Sequence, residues 1–556
     1  MKTTKMIMIG IAALMINVSV HAQSIIEKTQ DLSKNASKGF FSDAIINEST
    51  GNIEITYSYK GKSKDKDADA EYETYIFDKG LNFLKSEEIK INVQDKSPYT
   101  ESYIHANVGG CTSFTILSMK LHLYKNTYEY TWNTKKRDFV GKRTEQVEII
   151  PQNDDKRNYS GYDAFRYLAD GKMMVLASSE TKTDAGMKKE FVLLEVKTDL
   201  STKEIALPIG PSQLVYSSWA TNPSNVDEST TSRDMVFVFA PTFNKKNPVN
   251  YKQYTYLRVD KNGIVKENIK IDAPSANMVI TGLGEMKDGS IYLCGSYLEE
   301  DKTFDQLFGE YSPLENSCYT GGTNYRMDKY ESKTEGIKTD FFTILKIKDS
   351  KVEWIKNTPI DAISKLVKGA PKEKSPTAYK GNRLRIDYFN VSDNGDLFIS
   401  GQLVGRIMMN SVSVKVSRDV ICLQVSSTGE VKAQYGVEPK SIGDKQNTMF
   451  PIEQRFFDAG NNTMYWVMLE TKAIKGYESF YDAYNGSPTY YPNYYPSVMK
   501  VNTATNQIMD YKLLGNRKFL LNKSIPYLVD KTNNSVIFIG GDKEKTLWLG
   551  KYDMSK

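Results

Sequence analysis

Eight aromatic residues crowd into the twenty positions 476–495 of this 556-residue chain. Tyr477, Phe480, Tyr481 and Tyr484 come first, and Tyr490, Tyr491, Tyr494 and Tyr495 follow. Tyrosine gives rigid, amphipathic contact area at small entropic cost, and it is enriched at recognition surfaces. The same ring faces stack on sugars. A related segment, Asp301 to Thr339, carries Phe304, Phe308, Tyr311, Tyr319 and Tyr325 around Gly321-Gly322. Both read as binding loops, and together as one aromatic platform. The alternative is that these rings fold back and plug the molecule.

Other chemistry is thin. Only His105 and His122 follow the leader segment, and neither has companions that suggest a Ser-His-Asp triad or a metal site. His122 alternates with Leu121 and Leu123, a strand position. Cys294 and Cys422 lie in apolar runs, where a thiol behaves as a small hydrophobe, whereas Cys111 and Cys318 lie in loop-like contexts. No cysteine spacing resembles a zinc site, and no pairing is assigned. Asp65, Asp67, Asp69 and Glu71 alternate as calcium-loop ligands do, but the required Gly is missing and Ile76 takes the closing position. Carboxylates are plentiful, yet no pair stands out for glycoside cleavage. The expectation is no catalytic residue, no metal and no cofactor.

The elements that must carry these loops repeat. A turn followed by an apolar strand occurs at Asp170-Gly171-Lys172-Met173-Met174-Val175-Leu176 and at Asp288-Gly289-Ser290-Ile291-Tyr292-Leu293-Cys294. It recurs at Asn394-Gly395-Asp396-Leu397-Phe398-Ile399-Ser400, at Asn461-Asn462-Thr463-Met464-Tyr465-Trp466-Val467 and at Asn533-Asn534-Ser535-Val536-Ile537-Phe538-Ile539. Gly and Asn supply the positive φ of tight hairpins, and short apolar runs suit strands buried on both faces. A strand–turn–strand phrase follows each copy, as in Phe342–Ile347 with Val352–Ile355. Together they make four antiparallel strands, the content of one propeller blade. Aromatic residues make up 12% of the chain, a composition suited to sheets. Blade starts near Ser42, Tyr103, Tyr162, Val215, Met278, Tyr388, Phe456 and Pro526 give eight blades, with seven as the alternative. The last unit stops one strand short, so Ile25 to Leu32 is expected to complete it and close the ring.

The phrases at Met286–Gly295 and Val391–Gly401 resemble the D-x-x-G-n-x-Y-v-x-G repeats of bacterial exported β-propellers. That resemblance implies the architecture and supplies no catalytic residue. Ser392–Phe398 is loosely similar to a sialidase-type Asp box but lacks its spacing and Trp, and reads as a hairpin turn.

Lys2 and Lys5, the apolar run Met6 to Val20 and Val20-His21-Ala22 form a secretory leader over 1–22. The rest, 23–556, reads as one propeller domain with insertions at 301–339, 361–383 and 476–495. No later run is apolar enough to span a membrane as a helix. The formal charge of +5 is scattered, which excludes a nucleic-acid face. The three insertions fall between strands two and three or between blades, slots that open on one rim. The expected function is an exported, non-catalytic module that binds a protein partner in the periplasm or at the outer membrane of a Gram-negative cell. The alternatives are a carbohydrate-active hydrolase or lyase with two carboxylates about 5–10 Å apart, and a non-enzymatic glycan-binding protein.

Overall fold

The computed structural model describes residues 25–555 except 61–69, 92–113, 118–119, 134–137, 150–158, 160, 168–171, 184–185, 198, 220–233, 247–248, 309–336, 372–375, 410–411, 438–451, 472–477, 482–487, 492–493, 516–517, 523–524 and 543–544. The leader, His105, Cys111, Cys318 and the Asp65–Asp69 run lie outside the described residues. The chain divides into two compact units. One comprises 1–94, 493–496 and 513–556, the other 95–492 and 497–512.

The fold is a β-propeller. Its described sheets follow one another along the chain as antiparallel meanders. Blade 1 runs Phe40–Ile46, Ile53–Lys60, Ala70–Phe77, Phe83–Ile91. Blade 2 has three described strands, Phe114–Leu117, Lys120–Asn133 and Asp138–Ile149. Blade 3 is Gly161–Tyr167, Met173–Thr183, Gly186–Val196 and Thr202–Ala206. Blade 4 is Ser212–Trp219, Met235–Pro241, Gln253–Val259 and Val265–Asp272. Blade 5 is Val279–Glu285, Ile291–Tyr297, Phe341–Lys348 and Lys351–Pro359. Blade 6 is Leu384–Val391, Leu397–Met409, Val412–Val425 and Val431–Val437. Blade 7 is Glu453–Asp458, Thr463–Thr471, Tyr494–Asn502 and Gln507–Leu513. Blade 8 joins Tyr527–Asp530, Ser535–Gly541 and Thr546–Asp553 to Ile25–Asp31.

In the first unit the two ends of the chain share blade 8. Ile25 pairs with Tyr552 and the register runs to Asp31 opposite Thr546. Trp548 donates its indole N–H to Glu27 Oε2 at 3.1 Å. Ile53, Ile55, Tyr75 and Phe77 of blade 1 share one core with Ile537, Ile539, Leu547 and Leu549 of blade 8. The last blade therefore packs on the first.

In the second unit each core is likewise shared by neighbours. Leu193 of blade 3 shares a core with Leu257 of blade 4, Tyr256 of blade 4 with Leu345 of blade 5, and Ile344 of blade 5 with Leu423 of blade 6. Tyr435 of blade 6 shares a core with Trp466 of blade 7. A lone four-stranded sheet leaves one apolar face wet, and stacking buries it. Gly282 and Gly284 let blades 5 and 6 approach: a Cβ on Gly282 would sit 2.6 Å from Ile386 Cβ, and one on Gly284 2.3 Å from Phe389 Cγ.

The recurrent hairpin turns at Met286–Ser290, Ser392–Asp396 and Asn461-Asn462 are of two kinds. At Met286–Ser290 only Gly289 has positive φ, at 77°, and the turn is a three-residue loop closed by Gly289 N–H to Met286 O. At Asn461-Asn462 both residues have positive φ, 51° and 58°, as a two-residue primed turn requires. Ser392–Asp396 is a hairpin turn of the first kind, with Gly395 at 81°.

Two bulges recur. The first strand skips one residue in blades 1, 3, 4, 5 and 6, leaving Ser42, Asp163, Val215, Thr281 and Asp387 outside the ladder. The third and fourth strands slip near their shared turn in blades 1, 4, 5 and 6. Bulges bend a strand and re-aim its side chains.

Candidate functional site

The three insertions occupy the slots that the sequence indicates. Residues 301–339 lie between strands two and three of blade 5, and 361–383 link blade 5 to blade 6. Residues 476–493 lie between strands two and three of blade 7, and 494–495 already belong to strand three.

The first insertion starts on a short helix, Phe304–Phe308, that is pinned rather than free. Phe304 N–H donates to Ala276 O at 2.8 Å, and Phe243 N–H donates to Asp305 Oδ2 at 3.0 Å. Phe304 and Phe308 are buried, at 0% and 2% exposure, in the core shared by blades 4 and 5. Their assignment to an exposed aromatic platform is therefore corrected. A helical i, i+4 pair puts both rings on one stripe, and that stripe faces the core. Tyr311, Tyr319 and Tyr325 lie outside the described residues.

The second insertion is fastened to blade 6. A short helix, Ile360–Ser364, buries Ile360 and Ile363. Val367–Lys368 pairs in parallel with Gln434 and Tyr435. The Gln434 amide donates to Thr377 O at 2.7 Å and its oxygen accepts from Tyr379 N–H at 2.8 Å. Tyr379, fully buried, packs edge-on to Phe342.

The third insertion holds a small hairpin, Glu478–Tyr481 with Pro488–Tyr491, that places Phe480, Tyr481, Tyr490 and Tyr491 on paired strands. Tyr477 and Tyr484 lie outside the described residues. Tyr494 and Tyr495 open the third strand of blade 7, and Tyr495 is 4% exposed. Tyr495 is thus corrected from loop contact to buried strand position. The aromatic density of the segment hid the continuous buried run Tyr495–Met499 that begins there.

The first two insertions meet where they rejoin the blades. Thr339 donates its backbone N–H to Gly381 O at 3.0 Å and its hydroxyl to the same oxygen at 3.1 Å. Gly381 has φ 78°, and a Cβ there would sit 2.3 Å from Thr339 O. A cleft with about 440 Å³ of empty space, its open mouth included, lies beside this junction. The bulged Thr281 and its neighbour Ile280 form one wall. Ser296, at the end of strand two, and Phe308 form another. Ile337, Arg383 and Leu384 complete it. Among the described lining residues Arg383 is the ionisable one.

Charged and polar clusters lie at the opposite strand ends. In blade 4, Arg258 donates to Asp234 Oδ2 at 2.7 Å and to Glu285 Oε1 of blade 5 at 3.0 Å. Lys266 reaches Asp234 at 3.2 Å. In blade 6, Gln424 occupies the position of Arg258, Asp396 that of Asp234 and Lys432 that of Lys266. Gln424 donates to Asp396 Oδ2 at 2.5 Å and to Thr503 O of blade 7 at 2.8 Å, while Lys432 pairs with Asp396 at 2.7 Å. Tyr435 donates to Gln424 Oε1 at 2.5 Å. Burial lowers the Arg258 pKa, but the hydrogen bonds and charges of Asp234 and Glu285 outweigh it, so the guanidinium stays charged. Burial holds the Tyr256 and Tyr435 phenols far above their ordinary range. The charged and amide groups satisfy one another between blades, which is a structural role, whereas the buried Tyr256 hydroxyl has no hydrogen-bond partner among the described residues. The sequence held a signal for them, an Asp immediately before strand two and a Lys two residues into strand four.

Among the described residues, no group of three His, Cys, Asp or Glu side chains could hold a metal ion. Cys294 and Cys422 are free and buried, and burial raises both thiols. No described helix is long and apolar enough to cross a membrane.

No family profile matches the chain, and no curated protein matches it. Solved structures do. A lignostilbene dioxygenase from Pseudomonas brassicacearum is 9% identical, covering 96% of this chain and 90% of its own, with a TM-score of 0.28. A DUF4221 family member from Bacteroides vulgatus is 11% identical, covering 71% and 93%, with a TM-score of 0.24. The Dos1 propeller is 8% identical, covering 79% and 92%, with a TM-score of 0.23.

Proposed function

We propose that this chain is an exported, non-catalytic β-propeller that recognises a protein partner at the cell envelope through the loops between strands two and three and between blades. The observation that carries this reading is the junction of two long insertions. Thr339 and Gly381 tie their ends together beside a cleft, and the segments Phe304–Phe308 and 361–383 are bonded down to the blades. A rigid scaffold presenting long loops is the usual design of a recognition surface. The leader-like segment 1–22 supports export, and the aromatic content of 476–495 supports contact with another macromolecule.

Affinity isolation from native envelopes tests this. The full-length chain is expected to retain a defined protein partner, and a variant with 476–491 replaced by a short Gly-Ser link is expected to lose it while keeping its melting temperature. Retention of the same partner by the excised variant would end this reading.

A further inference from the structure

The hairpin that joins strands two and three of blade 6 outruns its blade. Strand one pairs with strand two as far as Leu403, and strand four pairs with strand three as far as Val420. Past these points the two middle strands pair only with each other among the described residues, from Val404 opposite Ser417 to Met409 opposite Val412. Those paired positions, at about 3.4 Å each, make an arm about 17–20 Å long. Alternation along the ladder puts Gly405, Ile407, Met409, Val412, Val414 and Val416 on one face. The other face takes Arg406 opposite Lys415 and Met408 opposite Ser413. Blade 3 carries a comparable arm, Ser179–Thr183 paired with Gly186–Glu190. One of its faces holds Ser179, Thr181, Lys188 and Glu190, the other Glu180, Lys182, Met187 and Lys189. An arm therefore forms without an apolar face. From Leu403 to Arg418 the chain has three cations, Arg406, Lys415 and Arg418, and no Asp or Glu. Arg418 is exposed, and its guanidinium lies across the root of the apolar face, where a Cβ on Gly405 would sit 2.5 Å from Arg418 Cζ.

We propose that this arm lays its aliphatic face on the surface of a bilayer that contains anionic phospholipid. Charge selects this occupant. Three cations without a carboxylate complement anionic headgroups, and the same charges oppose the approach of a second copy of the arm. Composition agrees. Trp and Tyr dominate the energetic centres of protein interfaces and Val is under-represented there, whereas this face holds three valines, Ile407 and Met409 and no aromatic residue. Arg418 stands at headgroup level when the aliphatic side chains enter the acyl boundary, its stem along the apolar face and its charge in water. The arm is shorter than the hydrocarbon core of about 30 Å, and both of its outer edges carry backbone groups that no described strand pairs. It therefore rests in the interface and does not span. This inference goes beyond the protein-partner reading and does not depend on it.

Cosedimentation of the full chain, freed of its leader, with lipid vesicles decides it. One set of vesicles is phosphatidylcholine alone, and the other is phosphatidylcholine with phosphatidylglycerol in a three-to-one ratio. The protein is expected to bind the mixed vesicles at least tenfold more tightly than the neutral ones, and high salt is expected to weaken that binding. Ile407→Thr combined with Val414→Thr keeps β-branched side chains in the ladder and is expected to lose at least tenfold on the mixed vesicles. Arg406→Gln combined with Lys415→Gln is expected to shrink the preference for mixed vesicles at least threefold. Val412→Trp sets a reporter in the face, and brominated phosphatidylcholine in the mixed vesicles is expected to quench it beyond the quenching of the unmodified protein. No binding of the unmodified protein to mixed vesicles, or binding that the threonine pair leaves unchanged, overturns the proposal. If the threonine pair fails to fold, the reporter decides: absence of added quenching overturns the proposal. A dimer that the threonine pair dissociates, in place of vesicle binding, assigns the face to a second copy and also overturns it. Partner capture through 476–491 is read separately and can survive while the lipid assignment falls.

Discussion

At the residue scale, burial decides chemistry that residue identity leaves open. Cys294 and Cys422 sit at 0% exposure in the cores of blades 5 and 6. Neutral buried thiols do not react, because the thiolate is the nucleophile. In a variant carrying Cys111→Ser and Cys318→Ser, a thiol reagent is expected to find no reactive cysteine in the native protein and two after denaturation. Tyrosines behave in a related way. Burial pushes Tyr292 up to about 12, with Asp288 and Glu353 adding to the shift, and burial likewise pushes Tyr75 up to about 12. The unfolded chain releases these protons near the ordinary 10.0, so each phenol contributes full stability below that pH. Stability is expected to fall as pH rises from 10 toward 12, and an ultraviolet titration is expected to show a late-ionising set that merges with the rest in denaturant. The exposed-ring reading of Phe304, Phe308 and Tyr495 failed for the same reason. Aromatic residues near a loop look alike in sequence whether a helix stripe or a strand buries them.

At the element scale, the turns were legible because their φ demands are local. Gly289, Gly395, Asn461 and Asn462 take the positive values that their positions require. Gly381 differs, since its conformation answers to Thr339, forty-two residues away. Gly381→Ala is expected to destabilise the protein by about 1–3 kcal/mol, through positive φ and the clash with Thr339 O, measured by denaturant unfolding. The same change at Gly289, where a Cβ would meet no atom within 4 Å, is expected to cost only the strain of its φ. The clusters built on Arg258 and Gln424 escaped the sequence reading because their partners come from different strands and different blades. Equivalence between those positions emerges only when the strand registers align them.

At the scale of the whole molecule, the meeting of chain ends carries the most weight. The strand Ile25–Asp31 covers the edge of Thr546–Asp553, and without it that edge is open to other chains. Starting the protein at residue 33 is expected to lower its melting temperature and to produce concentration-dependent aggregation, read by light scattering during a thermal ramp. Unchanged melting in that variant would show that the pairing contributes little.

The sequence by itself determined the all-β class, the rhythm of the blades, the terminal strand exchange and the slots of the three insertions. Each of these follows from short-range rules: a period of two, a turn that needs Gly or Asn, and an apolar face that demands a neighbour. Only the tertiary structure decided which aromatic residues are core, how Arg258 and Gln424 knit adjacent blades, and where Thr339 and Gly381 frame a cleft around Arg383. Those features depend on contacts between residues far apart in the chain, and their energies are set by burial and distance, which no local pattern encodes.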